Sequence, residues 1–227
     1  MEQFSFSSKE RVSSASFITG VYGWMMLALI LTAATAIVTA STPAILEFVF
    51  GIPYMFMGLI FAELGLVWYM SARVMRLSNA ATTLLFIAYS ILNGLTLSVI
   101  LLAYTGAAVS NAFLITAGTF GIMSAAGYFT KKDLSGFGSI MMMGLIGIIL
   151  ASLVNFFLHS ATMDYIISYV GVMIFVGLTA YDTQKIKNMA NELEDDQLKK
   201  AAIMGALTLY LDFVNLFLFL LRILNRK

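Results

Sequence analysis

Phe17-Ile18-Thr19-Gly20-Val21-Tyr22-Gly23-Trp24-Met25-Met26-Leu27-Ala28-Leu29-Ile30-Leu31-Thr32-Ala33-Ala34-Thr35-Ala36-Ile37-Val38-Thr39-Ala40 contains no charged side chain. A bilayer crossing takes about 20 apolar residues, whereas the core of a signal peptide takes about 7 to 15. The stretch therefore reads as a retained first membrane helix. The polar tail before it, residues 1–16, carries Lys9 and Arg11.

Six more segments of the same kind follow, at residues 52–71, 80–103, 107–129, 136–158, 163–184 and 201–222. The breaks between them are turn-forming or charged: Ser41-Thr42-Pro43, Arg73 to Asn79, Tyr104-Thr105-Gly106, Lys131-Lys132-Asp133, His159-Ser160 and Lys185 to Lys200. Ile45 to Gly51 is too short to cross and is expected in the membrane interface. The fold class that follows is an all-α membrane protein, a seven-transmembrane-helix bundle. Residues 17–227 form its single domain behind the tail.

Composition agrees. The chain of 227 residues is 60% hydrophobic and 11% charged, with mean hydropathy +0.92, against about 25% charged residues in a soluble domain. Long unbroken runs of Leu, Ile, Met, Phe and Ala exclude the alternating strands of an outer-membrane barrel. A net charge of +1 and the lack of a basic, aromatic-interleaved cluster exclude nucleic acid as a main ligand. With no cysteine, thiol catalysis and thiolate metal sites are impossible. No nucleotide loop, zinc-protease motif or serine elbow occurs, and no cofactor is expected.

Short loops rich in Lys and Arg stay cytoplasmic. The basic residues alternate strictly: Lys9 and Arg11, then Arg73 and Arg76, Lys131 and Lys132, and Lys185, Lys187, Lys199 and Lys200, with none in the intervening loops. A cytoplasmic N-terminus follows. Arg222, Arg226 and Lys227 disagree, since seven crossings put them outside; re-entry of the last segment, leaving six spans, is the alternative. Gly94-Leu95-Thr96, Gly177-Leu178-Thr179 and Leu207-Thr208 form a faint internal echo that coincidence explains equally well.

Acids inside such segments carry the functional reading. Asp182 lies in Leu178-Thr179-Ala180-Tyr181-Asp182 and Asp212 in Leu207-Thr208-Leu209-Tyr210-Leu211-Asp212. A carboxylate at bilayer depth costs several kcal/mol unless it is paired, neutralised or hydrated. If these two meet, both cannot ionise cheaply and a proton is shared by the pair. Gly205, Thr208, Asp212 and Asn215 fall on one face of the last helix, a small and polar stripe that should avoid lipid. Glu63 is a further intramembrane acid that should face protein, because a mid-membrane acid costs about 3 kcal/mol. Arg73 or Arg76 is placed to latch onto Asp182, although arginines that merely orient a helix are more frequent. Asn93 and Asn155 fit interhelical hydrogen bonding. His159 reads as a loop surface residue, and Met141-Met142-Met143 as packing.

From Val21-Tyr22-Gly23-Trp24-Met25 onward the chain resembles the Bax inhibitor family, most closely its bacterial inner-membrane branch. The most specific stretches are Thr130-Lys131-Lys132-Asp133-Leu134-Ser135-Gly136-Phe137-Gly138, Val176 to Lys187, and Gly205 to Arg222. That resemblance implies a bundle with the last helix central, a pH-sensitive pair at Asp182 and Asp212, and a calcium-permeable leak. It also implies a latch at Arg73 or Arg76, an acid at Glu63, and residence in a bacterial inner membrane.

Three functions compete. The first is a pH-regulated leak for calcium or another cation, with Asp182 and Asp212 as its oxygen ligands. The second is a non-transporting regulator that binds another membrane protein, such as a protease or a stress-response complex. Its docking faces would be Gly58 with Ala62, or Gly118 with Gly121 and Ala125. The third, an intramembrane aspartyl protease, is disfavoured because Tyr210-Leu211-Asp212 stands where such proteases resemble one another in Gly-x-Gly-Asp.

Overall fold

A computed structural model describes residues 2–190 and 195–225, the side chains of residues 2–14, 75, 195 and 196 excepted. The side chains of Lys9, Arg11, the acidic run Glu192 to Asp196, Arg226 and Lys227 thus lie outside the described set.

Every described element is helical. In chain order they are α1 (Glu2–Ser41), α2 (Pro43–Leu46), a π-helical turn (Glu47–Gly51), α3 (Met55–Arg73), a 3-10 turn (Val74–Arg76), α4 (Asn79–Ala103), α5 (Gly106–Phe129), α6 (Ser135–Leu158), α7 (Ala161–Met189) and α8 (Asp195–Leu224). Seven of them are long and apolar enough to cross a membrane. The last is one unbroken helix of 30 residues, so the re-entrant alternative is set aside.

Local chemistry sets the boundaries. Ser78 accepts a hydrogen bond from the Ala81 N–H at 3.1 Å and starts α4. Asp133 accepts from the Ser135 N–H at 2.8 Å where α6 begins, and these bonds hold its exposed carboxyl below its ordinary value of 3.8. Tyr54 and His159 take left-handed conformations, φ 63° and 52°, at the entry to α3 and the exit of α6. The short stretch between α1 and α3 exposes Phe48 and Phe50 and buries Val49, as an interfacial segment would.

The helices gather into two compact units, Met1–Thr105 with Met189–Tyr210 and Gly106–Asn188 with Leu211–Lys227. In the first, Gly94 permits close approach of α4 to α1: a Cβ there would sit 2.6 Å from Thr35 Cβ and 2.7 Å from the Thr32 carbonyl. In the second, a Cβ on Gly171 would meet the Phe219 ring at 2.7 Å and one on Gly177 the Met141 sulfur at 2.7 Å. Small residues thus let helices touch where no water-driven collapse assists them. Outward faces carry Phe61, Leu64 and Trp68 of α3 and Ile149, Leu153 and Phe156 of α6.

Burial runs from 6% of the span Met55–Arg73 to 61% of the span Gln197–Leu224. Hydroxyls within the spans bond back to their own helices, as with Thr116 to the Ala112 carbonyl and Thr179 to the Phe175 carbonyl, both at 2.7 Å. No hydroxyl so paired is left bare to lipid.

Candidate functional site

Two acids from different helices meet inside the second unit. Asp182 of α7 and Asp212 of α8 are 6% and 4% exposed, and their carboxyl groups lie close enough to act on one another. Asp212 Oδ2 is buried with no hydrogen-bond partner. Two carboxylates this close cannot both ionise cheaply, which is the condition under which a pair shares a proton.

The α7 side of this pair is clamped from three directions. Gly127 of α5 lies so close to Ala180 that any Cβ would collide with the Ala180 carbonyl, and Gly138 of α6 meets the Tyr181 ring in the same way. Thr183 Oγ1 donates to Ser124 Oγ at 3.3 Å. The Gln184 carboxamide reaches into the loop between α5 and α6, accepting from the Leu134 N–H and donating to the Lys132 carbonyl, both at 2.8 Å. Lys187 donates to the Tyr128 carbonyl at 2.7 Å and stands 4.8 Å over the Tyr128 ring. On α8, Phe213 beside Asp212 packs edge-on against Phe113 and Phe120. Asp182 and Asp212 are therefore carried by parts of the helices that have little freedom to move apart.

Glu63 belongs to a separate arrangement in the first unit. Thr96 Oγ1 donates to Glu63 Oε1 at 2.7 Å and Asn93 Nδ2 to Glu63 Oε2 at 3.0 Å. The Tyr210 hydroxyl donates to Asn93 Oδ1 at 3.0 Å and lies 2.7 Å from Thr32 Oγ1, which is 2.9 Å from the Ser90 carbonyl. Glu63 thus turns to protein, and Asn93 makes the interhelical bonds expected of an interior amide.

The other expected residues divide. The Thr208 hydroxyl and the Asn215 amide bond back to the Met204 and Leu211 carbonyls of their own helix, at 3.1 and 2.8 Å. Both are half-buried, and these two donors are taken up by their own helix. Arg73 closes α3 and Arg76 the following turn, both with exposed side chains. His159 is exposed, as a loop residue should be, and Asn155 donates to Asp164 at 3.1 Å. Two residues carry more than their spacing suggested. Lys185, three positions after Asp182, acts on it electrostatically, a helical i, i+3 relation that sequence alone contains. Gln184 and its loop partners gave no such signal.

Asp182 and Asp212 together offer four carboxyl oxygens, fewer than the six to eight that calcium gathers. Among the described residues no group of three or more metal-binding side chains comes together. A cation held by those four oxygens would keep further positions for water.

Comparison with known proteins places the chain. The profile of the family described as Inhibitor of apoptosis-promoting Bax1 matches residues 14–227. The inner membrane protein YbhL of Escherichia coli is 50% identical over 220 residues, covering 96% of this chain and 94% of that protein. A protein of Borreliella burgdorferi is 44% identical over 93% of this chain and 92% of its own, and one of Deinococcus radiodurans 42% identical over 100% and 98%. Seven apolar spans and near-complete matches of this kind have one reading: the chain is a multi-pass membrane protein that belongs to the Bax inhibitor family.

Proposed function

We propose that this protein is a pH-regulated cation leak of a bacterial inner membrane, with calcium as the cation and Asp182 and Asp212 as the sensing and cation-meeting groups. The burial of these two carboxyls within reach of one another carries the reading. A pair that shares a proton changes its charge in steps belonging to both residues. Each step alters the field a passing cation meets, in a medium where charge is weakly screened. Divalent cations with oxygen preference respond most, because two charges meet two carboxylates. The inner-membrane name of the Escherichia coli relative supports the location.

A second reading, a regulator that binds another membrane protein such as a protease or a stress-response complex, draws on the outward glycines. Gly58, Gly118 and Gly121 are exposed, and a Cβ on any of them would meet nothing within 4 Å. Such open small-residue surfaces suit a partner helix.

Flux separates the two. In liposomes holding a calcium dye, the purified protein passes calcium at a rate that varies with pH, and Asp182→Asn with Asp212→Asn makes the rate independent of pH. Wild type and double variant with the same profile would sink the leak. Stable crosslinks to one partner in native membranes, with no flux, would favour the regulator.

A further inference from the structure

The ends of α6, α7 and α8 enclose a cleft of about 610 Å³ in the second unit, lined by Asn155, Phe156, His159, Asp164, Ile167 and Arg222 among others. Arg222 Nη1 lies 3.9 Å from Asp164 Oδ1, and the two side chains are 46% and 41% exposed. The pair therefore stands open on the cleft rather than sealed in a core. Asn155 donates to the same Asp164 oxygen at 3.1 Å, which fixes the carboxylate on the cleft wall.

Position along α7 gives the depth. Asp164 and Asp182 are 18 residues apart (182 − 164) on one continuous helix, about 27 Å at 1.5 Å per residue. That is a large part of the hydrocarbon thickness of about 30 Å, so the cleft lies toward the end of α7 opposite to Asp182. On the same ends of α6 and α7, Phe156, Phe157, Tyr165 and Tyr169 are exposed, and aromatic side chains are enriched at headgroup level.

Charge then selects the occupant. A purely anionic group drawn to Arg222 would also meet the Asp164 carboxylate. A group carrying a phosphate and a primary ammonium matches both walls: the guanidinium fork takes phosphate oxygens, and the ammonium N–H groups donate to the carboxylate. A quaternary ammonium has no N–H to donate. The half-apolar lining, with Phe156 and Ile167, suits a molecule whose remainder is lipid.

We propose that this cleft docks the headgroup of a phosphatidylethanolamine lipid, its phosphate at Arg222 and its ammonium at Asp164. The assignment is independent of the Asp182 and Asp212 pair. The test is native mass spectrometry of the purified full chain with phosphatidylethanolamine, phosphatidylcholine and phosphatidylglycerol of matched acyl chains. The ethanolamine lipid is retained about tenfold over either of the others, the discrimination one charge-assisted contact supplies. Asp164→Asn removes its advantage over phosphatidylcholine, and Arg222→Gln weakens its retention.

Because an exposed ion pair contributes little to folding, both variants should fold. Should one fail, an ethanolamine lipid with a photoreactive group at the start of its acyl chain labels the wild-type protein within residues 152–167 or 215–225. Equal retention of phosphatidylglycerol, a preference that survives Asp164→Asn, labelling confined to other helices, or equal binding of soluble glycerophosphoethanolamine would each overturn the proposal.

Discussion

Gly127 and Ala180 touch backbone to backbone, with no room for a Cβ on the glycine, two residues before Asp182. The contact sets how closely α5 approaches α7 beside the buried acids. Gly127→Ala forces the helices apart and should lower stability by about 1 to 3 kcal/mol, the usual effect of overpacking. Gly121→Ala on the same helix has open space around it and should be near neutral. Thermal unfolding of the two variants in detergent checks the contrast; equal losses would contradict it.

Gln184 holds the loop between α5 and α6 by two bonds of 2.8 Å. Gln184→Ala should cost about 1 to 3 kcal/mol, since each bond contributes about 0.5 to 1.5 kcal/mol. Hydrogen exchange at Leu134 should quicken, while exchange in the middle of α6 should not. Gln184→Glu, which accepts from Leu134 but cannot donate to Lys132 when ionised, should fall between wild type and alanine.

Asp133 supplies a pH dependence with a definite sign. Its folded value is lowered by the Ser135 bonds, so the ionised form is favoured by folding. That stabilisation is present above the ordinary value of 3.8 and is lost as pH falls through the lower folded value. Asp133→Ala should remove this small acid-sensitive component and leave the rest of the profile unchanged, as stability curves from neutral pH down to pH 3 would show.

In the first unit Tyr210 joins Asn93 and Thr32. Tyr210→Phe preserves the ring packed edge-on against Tyr89 but strips the hydroxyl. A loss of about 1 to 3 kcal/mol follows if Asn93 Oδ1 is left without a donor in the interior. Unfolding midpoints of this variant against wild type measure it, and no change would mean that water replaces the hydroxyl.

The seven spans were legible because lipid demands unbroken apolar helices, and charge marks where each run ends. The segment read as 136–158 is Ser135–Leu158 in the structure. Where charge ended the apolar run it did not end the helix: α7 continues past residue 184 to Met189, and α8 starts at Asp195 rather than 201. Delay at the other end has a different cause, since the π-helical turn and the left-handed Tyr54 postpone α3 from residue 52 to Met55. Arg222, which seemed misplaced for a seven-span reading, has a carboxylate beside it in Asp164.

The acids were legible as costly residues needing partners; most of the partners were not. Asn93 and Tyr210 are 117 positions apart, and Gln184 reaches back 50 and 52 positions to its loop. Nothing in local periodicity links such residues. The polar stripe illustrates the converse, because spacing put Thr208 and Asn215 on one face but did not show that their donors turn back onto their own helix.

If the proposed function holds, Asp182 and Asp212 titrate as one unit. Carboxyl-region infrared difference spectra of the reconstituted protein across pH, with aspartate carbon-13 labelled, measure this for wild type and for each single asparagine variant. Removing either acid should shift and simplify the titration of the one that remains. If each aspartate titrates identically whether or not the other is present, the two carboxyls are independent and the account fails.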